Sequence, residues 1–188
     1  PRALGGRSIL GDPRSEKMQK NLNLKVKYRE SFRPFAPSIL RENLNEWFEI
    51  NVDSPYMLMV SNIKKDKVIE MSQDQKKLFG IEKLNIKRSE IPAVTHVDYS
   101  ARIQTVNEKT NIKYFKLIKK FRDKTNCPMI VNTSFNVRGE PIVNTPLDAF
   151  NCFMGTGLDK LAIGNCYLDK KSQDTLLRKD YTKEFELD

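Results

Sequence analysis

Pro128-Met129-Ile130-Val131-Asn132-Thr133-Ser134-Phe135-Asn136 is the stretch on which the reading of the fold turns. Proline introduces three apolar residues, a short buried strand that runs straight into a polar loop with exposed backbone N–H groups. Upstream, Asn111–Lys124 carries apolar residues at 112, 114, 115, 117, 118 and 121, the spacing of an amphipathic helix. Downstream, Thr145-Pro146-Leu147-Asp148 supplies a cap, an N1 proline and an N3 acid, which start a helix expected to reach about Met154. Gly155 and Gly157 end it, and Leu161–Leu168 supplies a last strand. Helices and strands mixed in this way predict an α/β (α+β mixed) domain around a twisted mixed β-sheet.

Working back towards the start, Ala93–His96 and Ala101–Val106 predict two strands flanking a polar turn. Residues 64–90 are lysine-rich and weakly patterned, an insertion or mobile flap to which no chemistry is assigned. Tyr56–Ile63 reads as a buried strand, Glu42–Phe48 is helix-like, and Phe35–Leu40 is apolar and proline-bounded. Leu24, Val26 and Tyr28 alternate with Lys25, Lys27 and Arg29, which predicts a strand with Lys27 and Arg29 on its polar face. Arg7–Leu10 is a strand closed by the Gly11-Asp12-Pro13 turn, after which Ser15 caps a short helix from Glu16 to about Leu22. The residues from 172 to 188 form a polar C-terminal tail expected at the periphery, leaving 1–171 as the domain.

With 188 residues, 39% of them apolar, the composition fits one globular domain. No apolar run approaches the roughly 20 residues that span a bilayer, so no membrane association is expected. Cys127, Cys152 and Cys166 share no metal-ligand spacing, and His96 is the single histidine, which argues against a structural zinc site. No metal-ligating set is therefore assigned, and three ordinary thiols fit a cytoplasmic protein. The formal charge of +9 reflects either an anionic partner or solvated lysine, as in Lys64-Lys65-Asp66-Lys67 and Lys119-Lys120. Arg2, Arg7, Arg14, Arg29, Arg33 and Arg102 instead sit beside Gly, Pro, Ser and aromatic residues, where guanidinium forks match phosphate oxygens. Nucleic acid is the competing anion, but no RNA-binding motif with stacking aromatics is present.

Lys27-Tyr28-Arg29 and Ser134-Phe135-Asn136 carry the chemistry. Two cations about 7 Å apart along a strand, with a hydroxyl and an amide from a loop, would clamp the phosphates of a nucleotide. Each tripeptide alone is a weak pattern, and a solvated strand face is the better account of Lys27 and Arg29 in isolation. Asn132 and Asn136 are ligand contacts or turn caps. His96 is an acid, base or ligand contact, or a satisfied residue at a strand end.

Longer motifs add context. Pro1-Arg2-Ala3-Leu4-Gly5 and Val26-Lys27-Tyr28-Arg29-Glu30-Ser31-Phe32-Arg33-Pro34-Phe35-Ala36-Pro37-Ser38 are followed by Ser54-Pro55-Tyr56-Met57 and Pro92-Ala93-Val94-Thr95-His96-Val97-Asp98. Then come Ala101-Arg102-Ile103-Gln104-Thr105-Val106, Asn132-Thr133-Ser134-Phe135-Asn136, Gly139-Glu140-Pro141-Ile142-Val143 and Pro146-Leu147-Asp148-Ala149. In this order they closely resemble the C-terminal domain of the O-carbamoyltransferase family, which includes nodulation-factor and antibiotic carbamoyltransferases.

The resemblance implies a YrdC-like twisted mixed sheet with flanking helices and a basic concave face. It implies the activating half of a carbamoyl transfer: carbamoyl phosphate and ATP, with Mg²⁺, give carbamoyl-adenylate. An N-terminal domain of actin-like fold would then pass the carbamoyl group to an acceptor hydroxyl. That domain is missing from this chain, which is expected to be an excised part of a longer polypeptide. By the same resemblance, Lys27 and Arg33 contact phosphate first, with Arg29 next. Arg2 and Arg102 grip the carbamoyl or carboxylate-like end. Asn132 and Ser134 orient the adenylate phosphates or the carbamoyl oxygen, supported by Asn136, and His96 is a candidate substrate contact. Asp98 and Glu140 are candidates for helping to hold Mg²⁺, against ordinary turn and cap roles. The alternative is an RNA- or nucleotide-binding YrdC-like module related to threonylcarbamoyl-adenylate synthesis in tRNA modification. One departure stands out: the family has Gly-Thr or Gly-Ser after His-Val-Asp, whereas this chain has Tyr99-Ser100.

Overall fold

The computed structural model describes residues 4–84, 86–178, 180–181 and 185. Its chain divides into two compact units, one of Pro1–Gln19 with Pro34–Thr133 and one of Lys20–Arg33 with Ser134–Asp188. The first unit is built on a sheet of five strands: β1 (Ser8–Gly11), β2 (Ala36–Leu40), β3 (Met59–Asn62), β4 (Ser100–Val106) and β5 (Met129–Ser134). Their order is β1-β5-β2-β4-β3. β2 lies parallel to β4, with Ser38 opposite Gln104, and antiparallel to β5, with Ser38 opposite Ile130. β3 pairs antiparallel with β4 at the edge. The sheet is thus mixed, as the sequence predicts.

Short helices α1 (Met18–Leu22), α2 (Leu44–Trp47), α3 (Gln73–Lys77) and α4 (Ile81–Leu84) precede the long α5 (Ile112–Thr125). α5 forms where its periodicity predicts. Asn111 caps its first turn by accepting from Tyr114 N–H, and Asn126 ends it in the left-handed conformation at φ 57°. Its buried face brings Tyr114, Phe115 and Ile118 onto Leu40, Val106 and Ile130 from three neighbouring strands. This cluster is an apolar core of the first unit.

In the second unit, α6 (Pro146–Gly155) opens on a capping box in which Thr145 and Asp148 satisfy each other's backbone N–H. It buries Ala149, Cys152, Phe153 and Met154. β6 (Lys160–Ile163) and β7 (Cys166–Asp169) then pair as a hairpin. The predicted single strand Leu161–Leu168 is therefore two, reversed at Gly164-Asn165.

Three further expectations are corrected. Leu24–Arg29 is no strand: Asn23–Lys27 is a π-helical turn continuing α1, and Tyr28 leaves it at φ 48°. Helical spacing wins because Leu22 and Val26, four apart, are both buried, whereas Leu24 is exposed. Tyr56–Ile63 is not a buried strand. β3 is a sheet edge whose Met59 and Val60, like Tyr56 and Leu58 before it, face solvent, and only Ile63 is fully covered. An unbroken apolar run carries no information about its place in the sheet. Finally, Pro92–Val94 is a 3₁₀ turn where a strand was predicted. Among the described residues no helix is long and apolar enough to cross a membrane.

Candidate functional site

The π-helical turn decides where Lys27 points. A regular strand would carry it to a solvated face, but the turn buries it to 3% exposure. Its ammonium donates towards Ser134 O at 2.5 Å, Asn136 O at 2.8 Å, Asn136 Oδ1 at 2.8 Å and Ser134 Oγ at 3.2 Å. Four acceptors therefore surround a group with three protons. Burial, aided by the positive charge of Arg29, lowers the Lys27 pKa from 10.5 to about 7, against the pull of Cys152 and Glu140.

The loop that supplies those acceptors is closed on itself. Ser134 Oγ donates to Asn136 Oδ1 at 2.6 Å, and Asn136 Nδ2 donates to Glu140 O at 2.6 Å. The Glu140 carboxylate reaches back to accept Val137 N–H at 2.8 Å. Arg138 N–H bonds the carbonyl of Lys27 itself. Nearby Cys152 is inert as a nucleophile at neutral pH, because burial and the Glu140 carboxylate push its thiol up to about 12.

The flanking arginines are tethered differently. Arg29 is half-buried, and its Nε donates to Asn23 Oδ1 at 2.8 Å; Asn23, fully buried, also ties down the carbonyls of Ser31 and Arg33. Arg33 is exposed and pairs with Glu30 at 2.8 Å. Lys27, Ser134 and Asn136 are thus brought into direct contact, while Arg29 and Arg33 follow on the same loop. Arg2 lies outside the described residues.

In the first unit, strand register sets a buried polar network. Ser38 and Gln104 are direct partners across β2 and β4, and Asn132 lies two residues beyond Ile130, which faces Ser38 on β5. Asn132 Nδ2 donates to Ser38 Oγ at 3.0 Å and to Gln104 Oε1 at 2.8 Å, and Ser38 Oγ donates to Gln104 Oε1 at 2.5 Å. Gln104 Nε2 reaches Leu4 O at 3.4 Å. All three side chains are at most 4% exposed. The Asn132 amide therefore serves its neighbours. Ser38 and Gln104 escaped the sequence reading, although a polar residue inside the apolar run Phe35–Leu40 is a signal that could have found the first.

His96, Asp98 and Arg102 surround one turn. His96 N–H bonds Ser100 O, Tyr99 N–H bonds His96 O, and Asp98 Oδ1 accepts Ser100 N–H and Ser100 Oγ–H. His96 Nδ1 lies 3.2 Å from Ser100 Oγ. Burial lowers the pKa of His96, with Asp98 and Arg102 acting in opposite senses, so the ring is neutral at pH 7. Arg102 projects exposed from β4.

Tyr99 adopts φ 63°, the left-handed conformation that suits glycine. The chain keeps the turn and bears the strain. Tyr99→Gly is expected to raise stability by about 1 kcal/mol, since a side chain at such a position costs roughly 1–2 kcal/mol and glycine returns part of that through unfolded-state entropy. Urea midpoints at equal m-value measure it; a lower midpoint would mean that the tyrosine ring contributes packing larger than the strain.

The sequence comparisons bear on the whole chain. The family model of the carbamoyltransferase C-terminus matches residues 1–170. The chain belongs to that family. A Synechocystis protein of uncharacterised activity is 55% identical over 189 residues, covering 100% of this chain and 31% of the relative. Nodulation protein NolNO of Sinorhizobium fredii is 42% identical over 174 residues, 91% of this chain and 22% of its own length. The 3'-hydroxymethylcephem-O-carbamoyltransferase of Amycolatopsis lactamdurans is 29% identical over 170 residues, 90% of this chain and 28% of its own. The chain thus spans less than a third of the length of these curated relatives. In this carbamoyltransferase C-terminus, the matched region holds the Lys27 loop, the Ser38–Gln104–Asn132 network and the His96 turn, and ends before Tyr181.

Proposed function

We propose that this domain is the carbamoyl-activating part of an O-carbamoyltransferase, taking carbamoyl phosphate and ATP to carbamoyl-adenylate. Beyond family membership, the observation that carries the reading is the Lys27 ammonium with four oxygen acceptors for three protons. One loop acceptor can be exchanged for a phosphate oxygen without leaving the ammonium short of a partner. Mass balance requires one water: carbamoyl phosphate, ATP and water give carbamoyl-adenylate, phosphate and pyrophosphate. The carbamate oxygen bonds the α-phosphorus as the bond to pyrophosphate breaks.

Two polyanions repel each other, and fixed cations offset that cost while stabilising charge on the leaving pyrophosphate. Lys27 takes this role first, with Arg33 exchanging Glu30 for phosphate and Arg29 beside them. Ser134 offers its hydroxyl to the same oxygens, and Asn136 holds it in place. Arg2 and Arg102 are assigned to the carbamoyl end through bidentate bonds, with His96 as a neutral hydrogen-bonding group. Asn132 acts through its network.

Among the described residues no three His, Cys, Asp or Glu side chains come together. The carboxylates of Asp98 and Glu140 already accept two hydrogen bonds each. Mg²⁺ in this reading arrives on the nucleotide, whose phosphates supply most of its oxygen ligands, and neutralises their charge. Transfer to an acceptor hydroxyl belongs to an actin-like domain of the same polypeptide.

Calorimetric titration with Mg-ATP, with and without carbamoyl phosphate, followed by pyrophosphate release, tests the proposal. Release that depends on carbamoyl phosphate is the expected outcome. Failure to bind Mg-ATP at millimolar concentration, in this chain and in the longer polypeptide alike, would sink it.

A further inference from the structure

The loop around Lys27 has its keystone in Glu140. The chain turns at Gly139, with φ 76°, so that the Glu140 carbonyl accepts Asn136 Nδ2 and its Oε2 accepts Val137 N–H. Those two bonds set the curvature that points Ser134 O, Asn136 O and Asn136 Oδ1 at the ammonium. The second carboxylate oxygen, Oε1, accepts Tyr181 Oη–H at 3.0 Å.

Tyr181 comes from the C-terminal segment, beyond the residues matched by the family model. It is only 5% exposed. Its ring rests on the end of α6, where a Cβ at Gly155 would approach Tyr181 Cδ2 to 2.4 Å, so the glycine makes room for it. Phe185 packs edge-on against the same ring at 5.3 Å. Tyr181, Glu140 and Val143 also line a cavity of about 450 Å³. A tail residue is thus held from two sides, with its hydroxyl on the keystone carboxylate.

We infer that Tyr181 is a positioning residue: its hydroxyl fixes the Glu140 carboxylate and thereby the loop of oxygen acceptors around Lys27. Tyr181 is then part of the support of the site and not only a covering. The inference rests on the reading of that loop as the phosphate-binding element. Tyr181 touches no reacting atom and acts through Glu140.

Tyr181→Phe removes the hydroxyl and keeps the ring on Gly155; Tyr181→Ala removes both. Amide hydrogen exchange at Val137, whose N–H bonds Glu140 Oε2, reads the loop directly, and Mg-ATP titration reads its use. Tyr181→Phe is expected to leave exchange in β5 and α6 unchanged while Val137 exchanges about tenfold faster, the scale of one hydrogen bond to a charged group. Mg-ATP affinity should weaken by about three- to tenfold. Tyr181→Phe that matches the wild type in Val137 exchange, with only Tyr181→Ala disturbed, would reduce Tyr181 to packing and overturn the inference. If neither this chain nor the longer polypeptide binds Mg-ATP, the proposed function fails, while Val137 exchange still decides the positioning role.

Discussion

Mg-ATP binding at about pH 8 is expected to take up nearly one proton, and at about pH 6 almost none, because Lys27 titrates at about 7 before the ligand arrives. Above that value the buried amine is mostly neutral; a polyanion beside it favours the ammonium, so binding and protonation are linked. Calorimetry in buffers of different ionisation enthalpy measures the uptake. Lys27→Met keeps the stem volume and removes the charge. It should abolish the uptake and weaken Mg-ATP by about a hundredfold, the scale of removing one member of a buried charge contact. The same variant has a signature without ligand. Between about pH 7 and 10.5 the unfolded chain holds a proton that folded Lys27 has lost, so this group's contribution to stability rises with pH through that window. Lys27→Met should flatten that slope in urea titrations. Wild-type uptake that persists in Lys27→Met would move the titrating group elsewhere.

Asn132→Asp should be the most damaging isosteric change in the first unit. The Asn132 amide gives both protons to oxygen acceptors, Ser38 Oγ and Gln104 Oε1, at 2% exposure. A carboxylate there faces the Gln104 oxygen without a proton between them. The expected loss at about pH 7 is about 3–5 kcal/mol, that of an uncompensated buried charge. Burial raises the folded carboxyl pKa above its unfolded value, so the native state holds the proton longer as pH rises. Stability should fall from about pH 4 upward and recover on acidification. Asn132→Ala, which leaves unpaired groups but no charge, should show no such pH dependence. Equal losses at about pH 5 and 7.5 for Asn132→Asp would mean that water reaches the network.

The contact between Lys27 and Ser134 and the network role of Asn132 differ in how far each was legible. Lys27 and Ser134 stand in motifs that single themselves out, and the loop indeed joins them. Their contact arises from a turn that alternation hid: Leu24–Arg29 satisfies the strand pattern residue by residue, yet Leu22 and Val26 bury together only in a helical turn. Tyr181 lacked any signal, since a tyrosine in a charged tail looks like solvated surface until Glu140 is beside it.

By itself, the sequence determined the elements whose causes are local. The apolar stripe of α5, the Thr145–Asp148 cap of α6, and the strands around residues 101–106 and 129–131 all act within a few positions along the chain. Tertiary structure alone decided which apolar strand became the exposed edge, why Asn132 faces inward to Ser38 and Gln104, and how Lys27 came to be buried among oxygens. Sheet order and the pairing of buried polar atoms join residues as far apart as Lys27 and Asn136. A buried ammonium or amide is tolerated only where such distant partners meet it, and no short-range pattern encodes that meeting.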